Sequence, residues 1–121
     1  MMGRRHYQEI ADVLHGATLK VERNPDVSAT DIVDSIAVGL QYVHITRTGR
    51  ISRQFAAIHK DALNQITYIK LLGTPHPSAD VLLLHMTAGI MDVCWNDNPR
   101  FNYARFREWV STGHDLPRNR R

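Results

Sequence analysis

Ser78-Ala79-Asp80-Val81-Leu82-Leu83-Leu84-His85-Met86-Thr87-Ala88-Gly89-Ile90-Met91-Asp92-Val93-Cys94-Trp95-Asn96 decides how this chain is read. Ser78 is a good N-cap and Asp80 suits the positive end of a helix, so a helix is expected over about Ala79 to Asn96. Its apolar residues fall on most sides. A helix of that kind must be surrounded, either as the central helix of a bundle or with one face against another subunit. It is too short and too interrupted, by His85 and Asp92, to read as a membrane span.

Upstream, Thr74-Pro75-His76-Pro77 is a rigid break. Before it, Phe55, Ile58, Ala62, Ile66, Ile69 and Leu72 recur at helical spacing from about Ile51 or Ser52, and Gly73 is placed to end that helix. Arg47-Thr48-Gly49-Arg50 separates it from Ile32, Ile36, Leu40 and Val43, the face of a helix capped by Ser28 or Thr30. The short connection implies an antiparallel hairpin over 28–73. Earlier still, Tyr7, Ile10, Ala11 and Leu14 share one helical face, and Gly16 sits where a left-handed cap would end it. Thr18 to Val27 shows no period, and Asn24-Pro25-Asp26 is turn chemistry, so a loop is expected there.

Downstream, Asn98-Pro99 breaks the decisive helix. Asn102 is an N-cap candidate for a fifth helix from Tyr103 to about Ser111, and Gly113 can close it. Phe101 at N′ and Phe106 at N4 then form a hydrophobic staple. The expected fold is all-α: a compact bundle of about five helices over residues 1–113. The fourth helix is expected at its centre and the short stapled fifth on one end, with a basic tail over 114–121.

The chain has 121 residues, an apolar fraction of 43% and a net charge of +3, which fits one ordinary globular domain. From Arg100 onward six arginines face two acids, +4, while the body before it is nearly neutral. The single cysteine, Cys94, cannot form an internal disulfide and reads as a small buried hydrophobe. No apolar run follows the basic residues near Met1, so no secretory signal is expected, and the lone cysteine makes a reducing cytosol the natural home.

The seven histidines (6, 15, 44, 59, 76, 85 and 114) include no pair three or four apart, so no helix offers a two-histidine metal clamp. No nucleophile elbow, phosphate loop or zinc-protease motif occurs, and no enzyme, cofactor or metal is expected. His85 and Asp92 lie two turns apart and read as a buried polar pair that tunes packing rather than as a catalytic dyad. Arg100, Arg105 and Arg107 interleave with Phe101, Tyr103, Phe106 and Trp109. Such mixtures can bind single-stranded nucleic acid by stacking and phosphate contact. The competing reading makes the rings core and the arginines their solvated flanks. Arg47, Arg50 and Arg53 would form a second positive spot at the hairpin tip.

Two pieces carry a resemblance. Arg5-His6-Tyr7-Gln8-Glu9-Ile10-Ala11-Asp12-Val13-Leu14, and Asn98-Pro99-Arg100-Phe101-Asn102-Tyr103-Ala104-Arg105-Phe106, are similar to the ends of small bacteriophage- and prophage-encoded proteins, particularly of actinobacteria. The likeness covers about a quarter of the chain. The shorter proteins join the two pieces directly, whereas here 28–73 stands between them. That family has no established activity. The resemblance implies only a phage accessory protein working in the cytoplasm of a bacterial host. The apolar excess on the fourth helix and the hairpin supplies the surface for binding a host or phage protein, or for a homodimer. The alternative is a nucleic-acid-binding regulator using the arginine-rich end.

Overall fold

The structure is a computed structural model describing residues 2–43, 49–71 and 78–114; for 49, 50 and 68–71 it describes backbone alone. All regular structure among these residues is helical: α1 (Arg4–Arg23), α2 (Ala29–Gln41), α3 (Gly49–Leu71), α4 (Ala79–Asp97) and α5 (Tyr103–Thr112). Three of the expected caps are in place. Ser28 accepts from the Asp31 N–H at 3.0 Å, Ser78 from Val81 at 3.3 Å and Asn102 from Arg105 at 3.0 Å. Each satisfies a backbone donor that the first turn leaves open.

The first four helices run alternately up and down, each beside the next, and α4 closes against α1. Cross-links between helices show the directions. Asp34 meets His59 across α2 and α3; Asp61 meets His85 across α3 and α4; Tyr7 and the Met2 N–H meet Asp97 across α1 and α4. α2 also touches α4 across the bundle, so these two form its inner diagonal. One core unites the elements, with Ile10, Leu14, Ile32, Ile36, Leu82, Met86 and Ile90 essentially without solvent exposure. The hairpin residues Ile32, Val33 and Ile36 belong to that same core. No helix among the described residues is long and apolar enough to cross a membrane.

Two local expectations are corrected. α1 does not stop at Gly16 but runs on to Arg23, because Ala17 and Val21 continue the buried ridge of Ile10 and Leu14. A mid-helix glycine costs roughly 1 kcal/mol, less than burying those two side chains returns. The non-periodic stretch is therefore mostly helix, and only 24–27, with the turn at Asn24-Pro25-Asp26, survives as loop. Gly49 is the first residue of α3, not part of a break before it. The Ile69 side chain, Leu72 and Gly73 lie outside the described residues.

α5 lies along the side of α1, running the same way. Trp109 donates to Asp12, and the His15 Nδ1 donates to the Val110 carbonyl at 2.8 Å. The staple is present: the Phe101 and Phe106 rings meet edge-on, centroids 5.2 Å apart, and both are buried. Gly113 ends α5 with φ of 79°, a left-handed cap that only glycine adopts cheaply.

Candidate functional site

Packing α5 on α1 creates a cleft of about 250 Å³ between the two ends of the chain. α1 supplies Arg4, Tyr7, Gln8 and Ala11, which share one helical face. The turn before α5 supplies Asn98 and Arg100, held because the Asn98 side chain accepts from the Arg100 N–H at 3.0 Å. α5 supplies Arg105, Phe106 and Trp109. Three arginines and four rings line the cleft, and no carboxylate does.

The polar tips of two of those rings are hydrogen-bonded to carboxylates outside the lining. The Tyr7 hydroxyl donates to Asp97 at 2.8 Å, and the Trp109 indole N–H donates to Asp12. Burial first, and Asp97 second, push the Tyr7 hydroxyl well above the usual phenol range. Phe101 joins Tyr7 and Phe106 in edge and tilted contacts at 5.2 Å, so it belongs to the core as well as to the floor of the cleft.

Of the arginines singled out from sequence, Arg100 and Arg105 meet at this cleft. Arg107 is exposed on α5 but does not line it, and Arg53 is exposed on α3. Arg47 and the Arg50 side chain lie outside the described residues. Arg4 was missed. Its signal was its place three and four residues before Tyr7 and Gln8, which means little until the chain ends are known to meet.

The expected His85–Asp92 pair is corrected. Both residues are exposed, and they have separate partners. His85 Nε2 lies 2.9 Å from Asp61 Oδ2 on α3, and Asp92 accepts from the Tyr103 hydroxyl at 3.3 Å. Cys94 is fully buried, and burial pushes its thiol up to about 12. Among the described residues no group of three or more histidine, cysteine or acidic side chains is placed to hold a metal ion.

A second surface comes from the decisive helix. α4 buries Leu82, Leu83, Met86, Ile90, Met91, Val93 and Cys94 against α1, α2 and α3. The opposite side carries Val81 at 54% exposure, Leu84 at 71% and Trp95 at 44%, with exposed Ala88 between them. These four lie on one stripe about 21 Å long at the helical rise. His85, bonded to Asp61 of α3, and Asp92, bonded to Tyr103 of α5, flank it, so the stripe has a polar rim. The helix is thus packed into the bundle on one side and apolar toward solvent on the other.

No protein-family model matches the chain, and comparisons with curated proteins and with solved structures find no match either.

Proposed function

We propose that this chain is a non-catalytic binding protein that works through α4. The observation that carries the reading is the open apolar stripe of Val81, Leu84, Ala88 and Trp95. An apolar stripe with a polar rim is the anatomy of a protein-protein contact. The occupant is a host or phage protein, or a second copy of the chain. For a second copy the stripe is self-complementary: aliphatic side chains stand at one end, a ring at the other and small Ala88 between. Two copies running antiparallel lay each Val81-Leu84 end on the other's Trp95, the isologous arrangement of a two-fold dimer. The resemblance of the chain ends supports the role of a phage accessory protein in the host cytoplasm.

A photo-crosslinking residue at Leu84, compared with one at exposed Ser111, tests this in bacterial cytosol. A discrete protein adduct at 84 and none at 111 is expected. No adduct at either position overturns the reading.

The second reading, a nucleic-acid-binding regulator, is favoured by the meeting of Arg100 and Arg105 with Arg4 in the aromatic cleft. Binding to a strand through phosphates falls steeply with salt. Reversing Arg100, Arg105 and Arg107 to Glu would abolish it while leaving the helix content intact.

A further inference from the structure

We propose that the α4 stripe pairs with the same stripe of a second copy, the two helices antiparallel about Ala88. This rests on the reading of α4 as the working surface, and it commits that surface to one occupant. Val81 and Trp95 each stand seven residues from Ala88. A two-fold axis at Ala88 therefore lays Val81 on Trp95 of the second copy at both ends. Ala88 meets Ala88 at the centre, where two methyl groups let the helices approach to about 8 Å, the close end of helix spacing. Leu84, at 71% the most open large apolar residue of α4, is covered beside them. Trp95 is already held for this contact. Its ring packs on Tyr103 with centroids 5.6 Å apart, so little side-chain freedom is lost on pairing.

The direction follows from charge. His85 and Asp92 are seven residues apart and stand at nearly the same angle about the helix. In the antiparallel pair each His85 comes level with Asp92 of the second copy, to within about 1.5 Å along the axis. A parallel pair would set His85 on His85 and Asp92 on Asp92.

Neither group has to leave its own partner. His85 meets Asp61 and Gln65 through Nε2, and Asp92 meets Tyr103 through Oδ1. Nδ1 and Oδ2 remain for the pairing, and an imidazolium donates through both nitrogens. Contacts of this kind add little affinity at an exposed rim. They select direction and partner. A seam of this length buries on the order of 1,000 Å² in total, the low end for a specific contact. That places it among weak, reversible dimers, which form at micromolar protein.

The experiment is sedimentation equilibrium of the full chain from micromolar to submillimolar concentration. The mass should rise from 13.8 kDa toward twice that value. Ala88→Arg should raise the dissociation constant about tenfold or more. Ala56→Arg, the same change at an exposed position of α3, should leave it unchanged. Both variants should keep the helix content by circular dichroism, since both positions face solvent. Oxidised glutathione reads the direction. Ala88→Cys should link to itself, whereas Val81→Cys should not, because its counterpart lies about 21 Å away along the axis. The native Cys94 is buried and does not compete.

A chain that stays at 13.8 kDa throughout overturns the second copy as occupant. A discrete adduct of another protein at Leu84 would then keep α4 as the working surface, whereas no adduct there would remove both readings. Self-linking at 81 as well as at 88 means a parallel pair and overturns the proposal. Equal losses in Ala88→Arg and Ala56→Arg move the contact off α4 and overturn it too.

Discussion

His15 and Gly113 hold the end of α5 against α1 as one contact. The His15 Nδ1 donates to the Val110 carbonyl at 2.8 Å, and a Cβ placed on Gly113 would come within 2.8 Å of the same ring's Nε2. The hydrogen bond satisfies one of the carbonyls that the end of α5 leaves open. The glycine permits both the left-handed cap and the close approach.

His15→Ala should therefore cost about 1 kcal/mol through the lost hydrogen bond, with some packing beside it. Gly113→Ala should cost about 1–2 kcal/mol from the positive φ alone, and more from the crowded ring. The two should be non-additive, because removing the ring relieves the crowding that the new methyl creates. Urea unfolding of the four proteins checks this. Simple addition of the two losses would show that the ring and the cap do not touch.

The staple gives a second cycle. Phe101→Ala and Phe106→Ala should each cost roughly 2–4 kcal/mol, since each removes a buried ring. Their sum should exceed the loss in the double variant, because the rings pack on one another. Losses of a few tenths that simply add would mean the segment is exposed, and would free its rings for binding.

α5 was the most legible element because its signals are local: Phe101, Asn102, Phe106 and Gly113 each do in the structure what their positions announce. α4 was legible by composition, although only the bundle could show which of its apolar residues stay outside. In sequence Gly16 looks like the end of α1, whereas Ala17 and Val21 carry its buried ridge on toward Arg23. Thr18 deepened the error: its hydroxyl donates to the Leu14 carbonyl at 2.9 Å inside the helix, which polarity alone does not reveal. Half of the candidate cleft was visible as Arg100 and Arg105. The rest needed Arg4 and Tyr7 brought across from the other end, and that register is a property of helix packing, not of spacing. For the same reason His85 was paired with Asp92 on its own helix when its partner, Asp61, is on the next one.

Cys94 yields a prediction in pH. Burial first, and the charge of Asp97 second, hold the thiol protonated up to about 12. In the unfolded chain it ionises at the ordinary value, so the folded state binds the extra proton in between. Stability contributed by the neutral thiol is complete below the ordinary thiol range and is lost as pH rises toward the folded value. A thiol reagent at neutral pH should consequently label the native protein only as fast as it opens, and mild urea should accelerate labelling strongly. Rapid labelling without urea would place the sulfur at the surface.

The two tryptophans stand on the two surfaces. Trp95 stands on the open stripe of α4, and Trp109 lines the arginine cleft with its indole bonded to Asp12. Their indole N–H resonances, followed through a protein concentration series and then with a single-stranded oligonucleotide at physiological salt, test the central claim directly. The account predicts that the Trp95 signal moves with protein concentration or on adding the protein captured at Leu84, while the oligonucleotide leaves Trp109 in place. A Trp95 signal that stays fixed under both conditions, with a Trp109 signal that shifts saturably with the oligonucleotide, would contradict it.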